Sequence, residues 1–161
     1  MVKYFFLILL FILPSVAYAE TPGLQGFKAI KQCIMQNDTG LCHASMTQSS
    51  YEIFDKFTAY KLMPCLPTDF KYESEHKSGT KTIVKAEMPQ DNANKYIFHM
   101  VFVKQDEEVK LDLPETLRVG LGDNWQDKLN MSEQLFLMMR QNMQDELTCD
   151  VLINLVKPNN G

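Results

Sequence analysis

The side chains able to do chemistry in this chain are few and scattered. His43, His76 and His99 are its three histidines. His99 stands in the run Tyr96 to Val103, where an alternating strand would place it on one face with Ile97, Val101 and Val103. In a cavity, an imidazole there could serve as a base or a ligand. Hydrogen-bonded inside a core it would be structural, and among apolar neighbours that is the commoner outcome. His43 follows Cys42, whose sulfur a disulfide would remove as a nucleophile. His76 lies between Glu75 and Lys77 beside a turn and reads as solvated surface. The chain has no glycine-rich phosphate loop, no G-x-S-x-G and no H-E-x-x-H. No residue is therefore assigned a catalytic role. A pocket isomerase or hydrolase centred on His99 stands as the alternative to a binding protein.

Metal chemistry has as little support. Of ten methionines, Met138, Met139 and Met143 cluster at helical spacing. Thioethers can hold copper(I), but no M-x-x-M run with histidine accompanies them. A methionine stripe of this kind is first an adaptable core or a malleable apolar surface. The acidic run Asp106-Glu107-Glu108 reads as a solvated turn. No metal or cofactor is expected.

The cysteines and the start of the chain bear on compartment. Lys3 precedes an apolar run from Tyr4 to Leu13, which Pro14 and Ser15 break before Ala17-Tyr18-Ala19. A basic start, an apolar stretch of about ten residues and an A-x-A site are the three parts of a secretory signal. Crossing a bilayer takes about 20 apolar residues, twice what this run supplies. Residues 1–19 are read as a cleavable signal and residues 20–161 as one domain. The location is then periplasmic or extracellular, with no transmembrane segment in the mature chain. Cys33, Cys42, Cys65 and Cys149 all follow the cleavage point, an even number suited to two disulfides in an oxidising compartment. Of three possible connectivities, Cys33–Cys42 is favoured, because Asn37-Asp38-Thr39-Gly40 looks like a turn between short helices. Cys65–Cys149 would then close a long loop, stabilising the fold by about 4 kcal/mol on a chain-entropy account. The formal charge of −4 becomes −5 without Lys3, and the two arginines, Arg118 and Arg140, stand apart. Without a basic cluster, nucleic acid is not an expected partner.

The elements that must position these residues run helices, strands, helix. Thr21-Pro22 opens a helix whose stripe is Phe27, Ile30 and Ile34, ending near Asn37 to Gly40. A short second helix carries Leu41, Cys42 and Met46. Ser49 and Glu52 match a capping box opening a third, with Ile53, Phe54, Phe57 and Tyr60 inward. Pro64 and Pro67 end the helical half. From Thr68 the period is two: Phe70 and Tyr72; then, after Ser78-Gly79, Thr82, Val84, Ala86 and Met88; then Tyr96 to Val103; then Val109, Leu111 and Leu113. Pro114 stops the sheet and begins a short helix, Glu115 to Val119. Asn130 and Glu133 read as a cap for a C-terminal helix carrying Met131, Leu135, Met138, Met139, Met143 and Leu147. Val151 to Val156 fits helix or strand, with helix preferred. The fold class is α+β: N-terminal helices, a four-stranded antiparallel meander and a C-terminal helix.

The amphipathic helices, the Cys65-Leu66-Pro67 bend and the following meander, roughly residues 24–113, resemble the nuclear transport factor 2-like, or cystatin-like, α+β class. The likeness is greatest to its small secreted bacterial members. The resemblance implies a bent sheet wrapped around a helix with a conical apolar pocket, for which Phe54, Phe57, Tyr96, Phe98, Met100 and Phe102 are the candidate lining or core residues. It carries over no catalytic residue, and the helix after Gly122 has no place in the family pattern. The expected function is an exported, non-enzymatic protein that binds an apolar small molecule or a partner protein of the envelope through an apolar pocket or face. A structural accessory subunit of an envelope complex is a further alternative.

Overall fold

A computed structural model describes residues 20–59, 66, 68–89 and 95–142. Residues 1–19, read as a signal, and Tyr60, Pro64, Cys65, Pro67, Met143, Leu147, Cys149 and Val151 to Val156 lie outside the described residues.

Helix α1, Pro22–Gln36, starts as its sequence signals, with Thr21 extended at the N-cap and Pro22 in the first turn. Gly23, Gly26, Phe27, Ile30 and Cys33 form its buried stripe, at the three- and four-residue spacing of one helical face. Asn37 ends it in the left-handed conformation (φ 52°, ψ 38°), a role asparagine fills when glycine is absent. Asp38 then caps α2, Thr39–Ala44, its Oδ1 accepting from Gly40 N at 2.9 Å and Leu41 N at 3.0 Å. This tight reversal brings Cys33 and Cys42 together as a buried disulfide, with Cα atoms 5.0 Å apart. Met46 falls beyond α2 and bridges to Leu111 instead. Helix α3, Gln48–Ala59, begins earlier than the Ser49 capping box implies. Thr47 takes the cap: its carbonyl accepts the first helical bond from Tyr51 N, and its Oγ1 accepts from Ser50 N.

Strands β1 (Lys71–Ser78), β2 (Lys81–Pro89), β3 (Lys95–Gln105) and β4 (Glu108–Leu111) form one antiparallel sheet in the order β1-β2-β3-β4. The fold is therefore α+β, a meander with helices before and after it. Gly79, at φ 62°, lets two residues close the first hairpin. Asp106 and Glu107 close the β3–β4 hairpin with φ 51° and 66°, as a two-residue turn with both centres left-handed demands. The register pairs Thr82 with Phe102, Val84 with Met100, Ala86 with Phe98 and Met88 with Tyr96. Partners directly opposite share a face, so these residues form the inner face, on which α1 lies. Gly26 lets α1 come close: a Cβ there would stand 2.5 Å from the Phe102 ring. The core joins Phe27, Ile30, the disulfide, Met46, Phe54 and Phe70 to Val84, Ala86, Met100, Phe102 and Leu111.

The alternation Val109, Leu111, Leu113 does not run on as strand. Asp112 accepts from Glu115 N and caps α4, Leu113–Leu121, so Leu113 is its first residue and Pro114 its second. Helix α4 also passes through Gly120 and closes only at Gly122. It packs against β3 and α3, and Val101 on the outer face of the sheet is fully buried. Helix α5, Trp125–Asn142, starts well before Asn130, which lies in its interior. Asn124 holds the cap position, its carbonyl accepting from Lys128 N.

Candidate functional site

The six residues read as pocket or core lining do not share one environment. Phe54, Met100 and Phe102 are buried in the core and pack with Phe27, Ile30 and Met46. Phe98 is half-buried against that cluster, and Tyr96 is 37 % exposed. Phe57 falls within α3, its side chain outside what the structure describes. Successive ring contacts run from the core to the surface along one end of the sheet. Phe27 meets Phe70 edge-on at 5.3 Å, Phe70 meets Phe98 at 6.0 Å, and Phe98 stacks on Tyr96 at 6.2 Å. Each offset or edge contact is worth about 0.5–1.5 kcal/mol beyond area burial. The row ends at an exposed Tyr96 and, on the opposite face of the same strand, an equally exposed Ile97.

The histidines lie on three different elements. His99 is half-buried on the outer face of β3, opposite Lys85 of β2. No hydrogen bond to its ring occurs among the described residues, so nothing there fixes a tautomer or supplies a proton partner. His43 lies against the ring of Tyr51 at 4.2 Å, and His76 is exposed on β1.

Two polar clusters escaped the sequence reading because each joins segments more than fifty residues apart. The first is centred on Glu75 of β1, whose Oε2 accepts from Thr21 Oγ1 at 2.8 Å, Leu24 N at 2.9 Å and Tyr72 Oη at 3.1 Å. This carboxylate caps α1 from the sheet, since Thr21 makes no side-chain cap of its own. Burial pushes the Tyr72 phenol up; the Thr21 bond acts the other way and Glu75 adds to the rise. The Thr21-Pro22 signature marks the helix start, but nothing local points to Glu75. The second is Ser50, fully buried, which donates to the Leu111 carbonyl at 2.8 Å and accepts from Leu113 N at 2.6 Å. Its Oγ also lies 2.6 Å from Thr47 Oγ1. The hydroxyl thus holds the β4–α4 junction and faces no imidazole. Both clusters are positioned to tie elements together.

At the hairpin end of the sheet, a cleft of about 550 Å³ opens between the start of α1 and the two turns. Lys77, Lys81 and Lys104 border it, while Phe102 and Val109 lie at its floor. Lys81 pairs with Glu115 at 2.9 Å and Lys104 pairs with Glu107. Among the described residues, no three His, Cys, Asp or Glu side chains are grouped to hold a metal ion, and no helix is long and apolar enough to cross a membrane.

Met131 and Met138 of α5 are 69 % and 59 % exposed. Seven residues apart, they lie on one helical face, and Leu137 beside Met138 is also exposed. The domain these features define is a small disulfide-bonded α+β unit with a packed aromatic core and apolar side chains facing outward on α5 and β3. No family model, curated protein or solved structure matches the chain.

Proposed function

We propose that this chain is an exported, non-enzymatic binding domain that acts by docking a protein partner of the envelope through an apolar face. The observation that carries this reading is the outward placement of Met131 and Met138 on α5. A methionine stripe is either adaptable core or adaptable contact surface, and solvent exposure of this extent favours surface. The burial of Phe54, Met100 and Phe102 against one another favours a face over a pocket as the binding element. The meander with a helix across its inner face is compatible with the nuclear transport factor 2-like class, whose members include many that bind without catalysis. Export is supported by the Lys3, apolar-run and Ala17-Tyr18-Ala19 pattern and by a buried Cys33–Cys42 disulfide, a bond that persists in oxidising compartments.

A photo-crosslinking residue placed at Met131 or Met138 in the native host tests the docking face. A discrete adduct that is absent when the same probe sits at exposed Lys71 is the expected result. Identical products from all three positions, or none from Met131 and Met138, would remove the docking reading. Intact mass of the recovered protein tests export separately. A chain starting at Glu20 and lighter by four hydrogens is expected, whereas a retained Met1 or four alkylatable thiols would contradict it.

A further inference from the structure

Strand β3 is longer than the strand that covers it. Against β2 it pairs from Lys95 to Val103, but against β4 only from Phe102 to Gln105. The chain then leaves the sheet, and the edge is finished at Val101 alone: its carbonyl accepts from Asp112 N at 2.8 Å and its N–H donates to Thr116 Oγ1 at 2.9 Å. Main-chain polar groups alternate sides along a strand. The N–H and C=O of His99, Ile97 and Lys95 therefore point the same way as those of Val101. They take no main-chain partner among the described residues. An open row of this kind is a template for pairing with another extended chain.

We propose that this edge pairs with the same edge of a second copy, antiparallel about a two-fold axis at Ile97. The side-chain order on β3 carries the choice of partner. In that register, Ile97 faces the second copy's Ile97 across a hydrogen-bonded pair. Tyr96 faces the second copy's Phe98 on the inner face, and Lys95 faces the second copy's His99. Both exposed apolar side chains of the strand thus meet apolar partners, and the aromatic row ending at Tyr96 continues into its counterpart. Three open N–H groups on each copy find three carbonyls on the other. Lys95, the one full positive charge at the seam, is already paired with Glu87 at 2.8 Å. Moving the axis by one residue toward Phe98 would call on Val101, whose main chain is already bonded within its own copy. Residue i pairing with j and j with i is the self-complementarity that a two-fold interface requires. The seam is short, so the dimer belongs to the weak class that buries under about 1,200 Å².

The test uses the full exported protein with its native disulfides. Across a hydrogen-bonded antiparallel pair the Cα atoms are about 5.5 Å apart, inside the range of about 4.4–6.8 Å that a disulfide spans. Ile97→Cys should therefore crosslink to a covalent dimer on mild oxidation, with peptide mapping showing position 97 joined to itself. Lys85→Cys, on the same face one strand inward, and Lys77→Cys, exposed on β1, should stay uncrosslinked. Sedimentation of the unmodified protein should show reversible dimerisation in the range of about 10–100 μM, the regime of small interfaces. Ile97→Pro should weaken it about tenfold through loss of two seam hydrogen bonds. That N–H takes no part in the β2 ladder, so the circular dichroism should be unchanged. If the proline variant unfolds, Ile97→Lys serves in its place, since the position is exposed. A monomer throughout this range, or crosslinking at Lys77→Cys as fast as at Ile97→Cys, would overturn the proposal.

Discussion

The contact between α1 and the sheet offers the sharpest test of how this fold is held. Glu75 supplies the acceptor that Thr21 does not, and the Leu24 N–H it receives at 2.9 Å belongs to the first turn of α1. Glu75→Ala removes a charge-assisted hydrogen bond worth about 1.5–3 kcal/mol, together with a favourable charge at a helix N-terminus worth about 0.3–1 kcal/mol. The site is only half-buried, and water replaces part of what is lost, so a net cost of about 2 kcal/mol is expected. For a domain of this size that lowers the melting temperature by roughly 6–8 °C. Glu75→Gln keeps an acceptor oxygen and loses the charge, and should cost about half as much. Gly23 makes the reasoning refutable. A Cβ at Gly23 would lie 2.3 Å from Glu75 Oε2 and 2.7 Å from Val84 Cγ2. Gly23→Ala should therefore push the carboxylate off the helix end and destabilise, although alanine favours helix by up to about 1 kcal/mol over glycine. With Glu75→Ala already present the nearer obstacle is gone, and the same change should cost about 0.5–1 kcal/mol less. Urea unfolding followed by circular dichroism reads all four corners of the cycle. Additivity within about 0.3 kcal/mol, or a Glu75→Ala cost below about 0.5 kcal/mol, outside the usual range for a lost cap, would refute the capping role.

Other consequences are as concrete. Glu107 holds φ 66° without being glycine, so Glu107→Gly should stabilise by about 0.5–1 kcal/mol net of glycine's entropy and the lost Lys104 pair, measured by the urea midpoint. Arg118 and Lys81 bonded to Glu115 pull its carboxyl down from 4.5 to about 2. The stability this supplies is whole above pH 4.5 and is lost as pH falls toward 2. Because both cations are partly exposed, the effect is about 1 kcal/mol. The gap between wild type and Glu115→Gln should accordingly close in acid, and a gap constant with pH would contradict the assignment. Cys33 and Cys42 are nine positions apart, and Cys33→Ser with Cys42→Ser should cost roughly 2–3 kcal/mol by loop entropy. A thermal shift under about 3 °C, roughly what 1 kcal/mol produces at this size, would mean that packing around α2 and not the crosslink holds the hairpin.

Much of this architecture was legible from periodicity, because a half-buried sheet writes its inner face at every second position. Thr82, Val84, Ala86 and Met88 all fall on the side their spacing implied, as do their partners Phe102, Met100, Phe98 and Tyr96. Boundaries were less legible, since capping signatures are short and several can compete. Ser49 with Glu52 matches a capping box, yet Thr47, whose N–H is anchored to the Leu111 carbonyl at 3.0 Å, takes the role. Asn130 with Glu133 matches too, but Gly122 and Asn124 have already started α5. At Asp112 the alternating pattern offered one more strand residue. The aspartate's capping bond to Glu115 N and Pro114 in the first turn favoured helix.

The candidate sites divide along the same physical line. Glu75 and Ser50 act on groups 51 and 61 residues away, and no spacing rule reaches that far; only the folded register brings them to their partners. The aromatic residues of β3 posed the opposite difficulty. A strand that lines a pocket and a strand that packs under a helix alternate alike, because periodicity reports which side a residue faces and not what stands opposite. What stands opposite Phe102 is Gly26 of α1, small enough that a Cβ would collide with the ring. Closure of the inner face was therefore set by a glycine in a distant helix and not by anything in β3. By the same reasoning, the surfaces that no element among the described residues closes are the α5 face carrying Met131 and Met138 and the edge of β3 beyond Val101. The open edge is left when β4 turns away into α4 after four residues. The early end of that strand, produced by Asp112 and Pro114, is thus the local event from which the open edge of β3 follows.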